Sequence, residues 1–475
     1  NKIDSLDVSN NNLDNNFNID IEQLPLKHLV LDLNYFTTIP SFVWTLPHLE
    51  KLSVSYNKLS EFLNGTIVGI QNSLERLELD HNELIEIPSS ILELRKLRYL
   101  SLAYNRLEDV EYLPTFMNIP KLEVLNIQNN YLSEFSTRCL VNCSKHVLLS
   151  VNASSNHIVS LFGGDKVDIH IIDLSYNFLE SLSRQFFESA VSIKQIYLSH
   201  NQLVQIDNNA FGSLHNLLIL NMQYNNISII RRRVFADMIS LQLLDVSHNS
   251  ISQLAVDQFS NLRRLRQLNL ANNRLKGFPR DIFKNTMLEY LDVSNNQLRL
   301  FPSSALSQIG FTLRRLELAG NYIEYLDVAM FHSTTFLHEL NLAHNSLTVL
   351  SDNTFAGLSK LYHLDLSHNA IKANFKELFH YVPRLRRLSL AGISLRNIPH
   401  LLLTNLTELN LYGNLISFYT DLEFIIKPMD FNFHGQYLAH HLMRWCHREW
   451  RYRPVSLCET ICRFQHHLLI RLTST

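Results

Sequence analysis

The stretch "LDLSHNAIKANFKELFHYVPRLRRLSLAG", from Leu364 to Gly392, contains a motif that restarts within it. Leu364 and Leu366 alternate with other residues, Asn369 follows, and "RLSLAG" repeats the same order 24 residues later. Alternation with a period of two is typical of a short strand with one buried face. The chain is therefore expected to build one kind of short strand repeatedly.

The same order, L-x-x-L-x-L-x-x-N-x-L, recurs along most of the 475 residues. Its Asn positions are Asn11, Asn34, Asn57, Asn82, Asn105, Asn130, Asn156, Asn177, Asn201, Asn225, Asn249, Asn273, Asn296, Asn321, Asn345, Asn369 and Asn414. One further copy carries Ile393 in this position. Eighteen copies at this spacing define a leucine-rich repeat.

We predict an α/β solenoid: a curved leucine-rich-repeat horseshoe of about 18 repeats, with a parallel sheet on its concave face. One repeat cannot bury its leucines alone, but a stack of repeats buries a continuous core. The Asn side chain has two donors and an acceptor, so it can bond the backbones of its own turn and of the adjacent turn. Ile393 cannot do so and predicts a local irregularity.

A second set of rings lies ten residues after the repeat Asn. These residues are Phe187, Phe211, Phe235, Phe259, Phe283, Phe331, Phe355 and Phe379, with Trp44 in the equivalent position. We interpret them as core packing on the wider, convex side. A wide convex side and a narrow concave side make the array curve.

The period and the Phe positions resemble the repeats of extracellular leucine-rich proteins such as Toll-like receptors, Slit and chaoptin. Residues 365–392 are most similar to chaoptin-like cell-adhesion proteins. The resemblance covers about 1–418. It implies an extracellular, glycosylated, lipid-anchored protein that adheres through its repeats, including to other copies of itself. Two features depart from this family: "EIPSSILELRKLRYL", residues 86–100, also resembles intracellular scaffold repeats, and the cysteine-rich caps of many extracellular arrays are missing.

The leading interpretation is therefore cell-surface adhesion or protein recognition through an extended repeat surface. The alternatives are a Toll-like ligand-binding receptor ectodomain and an intracellular scaffold. No motif of an enzyme or of a cofactor site is present, so we expect neither catalysis nor a cofactor. A formal net charge of -2 argues against a general nucleic-acid partner. No apolar run of 18 residues occurs, so an anchor would lie outside this chain.

The residue just before the repeat Asn is often Tyr or His. The tentative partner-binding positions on the concave face are Tyr56, Tyr104, Tyr176, His200, Tyr224, His248, His344 and His368, and His81 occupies the same position in its repeat. Tyrosine suits protein interfaces, but the same words are common in this kind of repeat without a binding role. A shared metal is disfavoured, because His200 and His248 would lie about 9 Å apart, twice the strand spacing.

Acidic residues recur four positions before the repeat Asn, and we interpret them as solvated surface. They are Asp7, Glu78, Asp173, Asp245, Asp292, Glu317 and Asp365. Paired carboxylates can perform acid–base chemistry, but most of these are two or more repeats apart.

Tentative glycosylation sequons occur at Asn64, Asn142, Asn152, Asn226 and Asn405. Five is about the number that chance produces in a chain this rich in Asn, Ser and Thr, so they are no evidence of secretion. Asn152 is predicted to lie on the strand face, where a glycan would obstruct the concave surface. Cys139 and Cys143 permit either a disulfide or two buried thiols.

The repeats end near residue 418, and a His- and Arg-rich segment follows at 419–475. It carries Cys458, Cys462 and His466, a spacing that does not match the common zinc motifs. We interpret it as a partial cap or as sequence foreign to the folded protein. The chain begins two residues before a strand and is expected to lack its natural N-terminus. We therefore predict one solenoid domain at 1–418 and an irregular tail.

Overall fold

The computed structural model describes residues 3–19, 25–60, 69–108, 119–140, 148–416 and 430–431, with gaps at 165, 183, 207, 209, 329, 398 and 400–404. Within these ranges no helix has the length and apolar character needed to cross a membrane.

Short strands are the dominant element of the described chain. In chain order they are β1 Ser5–Asp7, β2 His28–Val30, β3 Lys51–Ser53, β4 Arg76–Glu78, β5 Tyr99–Ser101, β6 Val124–Asn126, β7 Glu134–Ser136, β8 Leu148–Asn152, β9 Ser160–Phe162, β10 Ile169–Asp173, β11 Gln195–Tyr197, β12 Gln205–Ile206, β13 Ile219–Asn221, β14 Ile229–Ile230, β15 Leu243–Asp245, β16 Gln267–Asn269, β17 Tyr290–Asp292, β18 Arg315–Glu317, β19 Glu339–Asn341, β20 His363–Asp365, β21 Arg387–Ser389, β22 Glu408–Asn410 and β23 Asp430–Phe431.

Nineteen of these strands form one sheet, in which each strand pairs in parallel with the next one along the chain. The register never slips: the central apolar residue of each strand lies opposite that of its neighbour, as Leu220 does with Leu244 and Leu268. The prediction of a curved solenoid with a parallel sheet is confirmed. Two small parallel pairs, β7 with β9 and β12 with β14, lie outside the main sheet and were not predicted.

Helical segments are few and short in the described part of the chain. The α-helices are α1 Arg184–Ser189, α2 Ser303–Ile309 and α3 Phe375–Leu378, and the 3-10 helices are Ser41–Thr45, Ser89–Glu93, Thr137–Leu140 and Phe379–Tyr381. Their apolar residues face the core, as Phe186 and Phe187 of α1 show.

The predicted Phe positions form a continuous part of this core. All eight Phe side chains are buried, and Trp44 packs partly buried against the same hydrophobic core. Phe187 meets Phe211 with ring centroids 5.1 Å apart, and Phe331 meets Phe355 at 6.2 Å. Rings of consecutive repeats therefore contact each other at four places along the solenoid, and their burial confirms their interpretation as packing.

The repeat Asn residues join consecutive turns as predicted. The Nδ2 of Asn249 donates to the Val246 and Ser247 carbonyls of its own turn at 3.1 and 2.9 Å, and to the Met222 carbonyl of the preceding turn at 3.0 Å. Its Oδ1 accepts the Ile227 N–H of that preceding turn at 2.9 Å. The same arrangement recurs from Asn34 to Asn369, so backbone groups that would be costly to bury unpaired are satisfied.

The irregularity expected at Ile393 is confirmed. Gly392, directly before Ile393, keeps the positive φ of the regular repeats at 61°, but Ser394, directly after Ile393, adds a second positive φ of 63° that the regular repeats lack. The Oδ1 of Asn414 accepts both the Ile393 N–H at 3.1 Å and the Leu395 N–H at 2.9 Å. In Asn249 the corresponding oxygen accepts one backbone N–H.

The end of the solenoid lies at the limit of the described residues. Strand β23 continues the sheet past residue 418, with Leu409 opposite Phe431. The division at 418 and the assignment of 419–475 as a tail stay predictions, because the rest of that segment lies outside the described residues.

Candidate protein-recognition surface

The residue before each repeat Asn lies where the chain leaves the sheet, three positions after the strand ends. In every repeat this residue has a positive φ, between 52° and 67°. Gly and Asn adopt this left-handed conformation readily and His more often than most residues, whereas Tyr does so rarely. The tentative partner-binding residues all belong to this set, at the carboxyl edge of the concave sheet. We call the Tyr and His residues of this set, Tyr56, His81, Tyr104, Tyr176, His200, Tyr224, His248, His344 and His368, the ring column.

Consecutive members of the ring column stack face to face. His81 lies between Tyr56 and Tyr104, with ring centroids 4.0 Å from each. Farther along, Tyr176, His200, Tyr224 and His248 form an unbroken stack with spacings of 4.2, 4.4 and 3.9 Å. His344 and His368 form a third stack at 4.2 Å. The sequence showed these residues in one column, but it did not show that their planes align.

Stacking determines what the ring column can offer to a partner. The faces of the inner rings cover each other, while Tyr56, Tyr104, Tyr176 and Tyr224 keep 43% to 56% of their surface exposed. Tyr224 is stacked on both faces, so its exposed surface consists of the ring edge and the hydroxyl group, whereas Tyr56, Tyr104 and Tyr176 end their stacks and each has one face without a stacked ring. Inside each stack the column therefore offers hydrogen-bonding edges, and free ring faces occur only at its ends.

The histidines of the ring column do not assemble a metal site. Tyr224 separates His200 from His248. Among the described residues no group of three or more His, Cys, Asp or Glu side chains could hold a metal ion.

The middle of the concave sheet carries apolar side chains on its outer face, which sequence reasoning missed. Ile171, Ile219 and Leu243 lie in register on β10, β13 and β15, with Gln195 of β11 between Ile171 and Ile219. Leu218 directly precedes β13, and these four apolar residues are half-buried. Leu149 of β8 is 45% exposed. We call these five apolar residues the apolar centre. The signal was present as Ile and Leu at positions of the L-x-L pattern that point away from the core.

Charged side chains lie on the sheet to the N-terminal side of the apolar centre. Glu78 accepts a hydrogen bond from Arg76 and pairs with Lys51 at 3.6 Å. Burial opposes ionisation of Glu78, but the hydrogen bond and charge of Arg76 and the charge of Lys51 outweigh it and lower its pKa. The Arg76 guanidinium also lies 3.6 Å from the ring centroid of Tyr99.

A second charged group lies toward the C-terminal side. Arg315 pairs with Glu317 at 2.8 Å and with Glu339 at 3.4 Å, and the hydrogen bond to Glu317 is the main cause of its raised pKa. Tyr290 donates its hydroxyl to Asp292 at 3.0 Å. Burial and the charge of Asp292 raise the pKa of Tyr290, so this phenol stays protonated at neutral pH. The concave sheet thus combines an apolar centre with charged flanks.

Several of the acidic residues assigned to solvated surface also brace the backbone. Asp245 and Asp292 are half-buried, and each accepts the N–H and the hydroxyl of the Ser two residues later at 2.9 and 2.7 Å. Asp32 and Asp80, two positions before the repeat Asn, accept similar bonds from the following repeat. Burial raises the pKa of both Asp32 and Asp80 despite these hydrogen bonds.

The sequons differ in accessibility. Asn226 and Asn405 are exposed, and Asn405 donates to the Pro383 carbonyl at 2.9 Å. Asn152 lies half-buried on the concave sheet as predicted, and its Nδ2 donates to Gln128 at 2.8 Å. Asn64, Asn142, Cys143 and the side chain of Cys139 lie outside the described residues.

Models of known protein families match this chain over the same repeats. A model described as "Leucine rich repeat" matches residues 24–84, 168–298 and 311–395, the last two through overlapping copies, and a model of "Leucine Rich repeats (2 copies)" matches 95–140. The first model alone covers more than half of the chain. The chain belongs to the leucine-rich-repeat family. Members of this family generally serve as binding scaffolds, which suits the protein to protein recognition.

Two curated relatives are Toll-like receptors. Toll-like receptor 3 of Boselaphus tragocamelus is 29% identical over 45% of this chain, and Toll-like receptor 9 of Mus musculus is 32% identical over 20% of it. These matches span 26% and 10% of the relatives' own lengths. A leucine-rich-repeat protein of Leptospira interrogans shares the fold, with a TM-score of 0.66, 24% identity, and coverage of 87% of this chain and 97% of that one. The specific similarity to chaoptin stays a prediction.

Proposed function

We propose that this leucine-rich-repeat protein acts outside the cell, in adhesion or recognition, and binds a protein partner through its concave sheet and the adjoining ring column. The partner includes a second copy of the chain on an apposed surface. Membrane attachment through an anchor outside this sequence, and glycosylation, are parts of the same proposal.

The observation that carries the proposal is the apolar centre. A sheet face that only meets water is expected to carry polar residues, whereas Ile171, Ile219 and Leu243 occupy its outward positions. Exposed apolar patches rimmed by polar residues mark interaction sites. The charged groups around Arg76 and Arg315 supply such a rim, which suits a partner of complementary shape and charge.

A bead-clustering assay tests the adhesive part. Beads of two colours are coated with the secreted protein, and mixed clusters that require protein on both colours are expected. The triple variant Ile171→Thr, Ile219→Thr and Leu243→Thr should abolish clustering, because Thr keeps the strand preference and removes the apolar surface. Ile229→Thr, at an apolar residue that is 60% exposed outside the main sheet, is the matched control and should cluster normally.

Clustering by the triple variant would overturn the role of the apolar centre. Dispersed beads coated with folded wild-type protein would overturn binding between copies. A second candidate function would then lead, a ligand-binding receptor ectodomain, which the two Toll-like relatives favour. Its test is binding of a heterologous protein by the wild type and not by the triple variant.

A further inference from the structure

The ring column is interrupted between Tyr104 and Tyr176. The two intervening repeats place Asn129 and Ser155 in this position, with φ values of 53° and 54° that match those of the rings. Their backbone therefore follows the same path, and only the aromatic rings are missing. Neither side chain makes a hydrogen bond with another described residue, so both are available at the floor of the gap.

The rings at the two ends of this gap each have one uncovered face. Tyr104 stacks on His81 and Tyr176 stacks on His200, and no other described ring or cation covers their opposite faces. Two rings elsewhere in the described chain are instead covered by cations of the chain itself. Arg76 lies 3.6 Å from the ring centroid of Tyr99, and Lys360 lies 3.5 Å from that of Phe336.

The dimensions of the gap fit planar groups. Tyr104 and Tyr176 are three repeats apart, which corresponds to roughly 14 Å at the usual strand spacing. A space of this length between two ring faces accommodates two further planes at van der Waals contact. A second set of rings, Tyr131, His157 and Phe178, follows Asn129, Ser155 and Tyr176 by two residues in the same repeats. The ring centroid of His157 lies 5.4 Å from that of Tyr131 and 5.7 Å from that of Phe178.

The charge around the gap is negative. Glu108, Glu134 and Glu180 are exposed in the repeats that border it, and none of them forms an ion pair with a described residue. The basic side chain at this edge, Arg106, is already paired with Glu83 at 3.2 Å. A cation approaching the gap would therefore pass carboxylates that have no ion-pair partner among the described residues.

We propose that the gap between Tyr104 and Tyr176 binds arginine side chains of a protein partner. This inference rests on the proposed function and specifies part of the partner's chemistry. A guanidinium is planar and cationic, so it can stack on a tyrosine face and meet the acidic rim. A lysine ammonium carries the charge without the plane. The carboxylates would repel the phosphates of a nucleic acid.

The test uses labelled peptides and the full chain. The probe is acetyl-Gly-Arg-Gly-Arg-Gly-amide, with lysine and citrulline analogues, titrated by fluorescence anisotropy. Citrulline keeps the planar shape of arginine and removes the charge. The arginine peptide is expected to bind at least about tenfold more tightly than either analogue, since both the plane and the charge contribute.

The structure also supplies a variant that closes the gap without changing the backbone. Asn129→Tyr combined with Ser155→His introduces the residues that the other repeats carry at this φ, and should reduce arginine-peptide affinity at least about tenfold. Asn272→Tyr adds one ring outside the gap, beside His248, and is the matched control with unchanged affinity. Circular dichroism confirms folding of both proteins.

Undiminished binding of the arginine peptide to the gap-closed variant would overturn the inference, and so would equal binding of the lysine or citrulline peptide. Because this assay needs no natural partner, its failure leaves the proposed adhesive function untouched. The apolar-centre variant tests that function separately in the bead assay.

Discussion

The imidazole of His248 stacks on the ring of Tyr224, with centroids 3.9 Å apart and planes 13° from parallel. Both residues are left-handed, with φ values of 52° and 54°. This conformation costs a residue with a Cβ about 1–2 kcal/mol, and an aromatic pair returns about 0.5–1.5 kcal/mol. The repeats therefore place rings at a conformationally unfavourable position, where stacking offsets part of the cost.

The first prediction concerns His200, which stacks on both sides. His200→Asn should change the free energy of unfolding by less than about 0.5 kcal/mol, because Asn tolerates a positive φ and offsets the lost stacking. His200→Val should destabilise by about 2 kcal/mol, because a β-branched residue is strained at this φ and cannot stack. Urea denaturation of the three proteins measures the difference. Equal stability of the two variants would contradict the account.

The second prediction concerns the Asn that joins the turns. Asn249→Ala removes three donated bonds and one accepted bond. At roughly 1–3 kcal/mol for each buried group left unpaired, a loss of at least about 3 kcal/mol is expected. The control is Asn226→Ala in bacterially produced protein, at an exposed residue one position after another repeat Asn. The stability of this control should remain within about 0.5 kcal/mol of that of wild type. A similar loss of stability in both variants would refute the role of the repeat Asn residues in joining the turns.

The third prediction concerns pH and Asp80. Burial raises the pKa of Asp80 above its ordinary value of 3.8, so the folded state binds this proton more tightly than the unfolded chain does. The stability contributed by this proton is complete below 3.8 and is lost as the pH rises through the raised pKa. Asp80→Asn keeps an oxygen for the Ala103 N–H and removes the buried charge, so it should raise the melting temperature at pH 7.

That advantage should shrink as the pH falls and vanish below the ordinary Asp pKa, because Asp80 is then protonated in both states. Melting curves between pH 3 and pH 7 follow the difference. Asp352→Asn, at an exposed residue, is the control and should track wild type throughout. A stabilisation by Asp80→Asn that is independent of pH would point to a cause other than ionisation.

The fourth prediction concerns the sequons. In protein secreted from eukaryotic cells, Asn226 should carry a glycan at higher occupancy than Asn152. Asn226 is exposed, whereas Asn152 is half-buried on the sheet and bonded to Gln128. Peptide mapping by mass spectrometry after glycosidase treatment in heavy-oxygen water gives both occupancies. Higher occupancy at Asn152 would place a glycan on the concave sheet and argue against that sheet as the binding face.

The fold was largely predictable because its determinants are local and repeated. The positions of the leucines, Asn residues and Phe residues fix the strand register, the ladder between turns and the core. Even the irregularity at Ile393 followed from the chemistry of one missing amide. The small pairs β7 with β9 and β12 with β14 were not predictable, because residues 134–136 and 205–206 lack the repeat pattern.

The candidate surface was only partly predictable. The ring column was visible in the sequence, but its stacking depends on a shared positive φ, which becomes evident only when the backbone is built. The apolar centre was missed because Ile171, Ile219 and Leu243 are adjacent in sequence to core residues of the repeat, so they could not be distinguished from core residues by residue type. The raised pKa of Asp80 depends on its burial beside the next repeat, about 20 residues away in sequence.

The hydrogen bonds of the repeat Asn residues also determine the order in which consecutive repeats are completed during synthesis. Each Asn completes the turn before its own: the oxygen of Asn34 accepts the Leu13 N–H, and the oxygen of Asn57 accepts the Phe36 N–H. In a turn that emerges from the ribosome, this backbone N–H therefore lacks its acceptor until the next Asn has been synthesised. Assembly should therefore advance one repeat at a time, and the last repeat formed should always contain one backbone N–H without its acceptor. Ile393 has no side-chain oxygen to accept the backbone N–H of the preceding turn. A translational pause there should therefore prolong the time for which the last repeat stays incomplete.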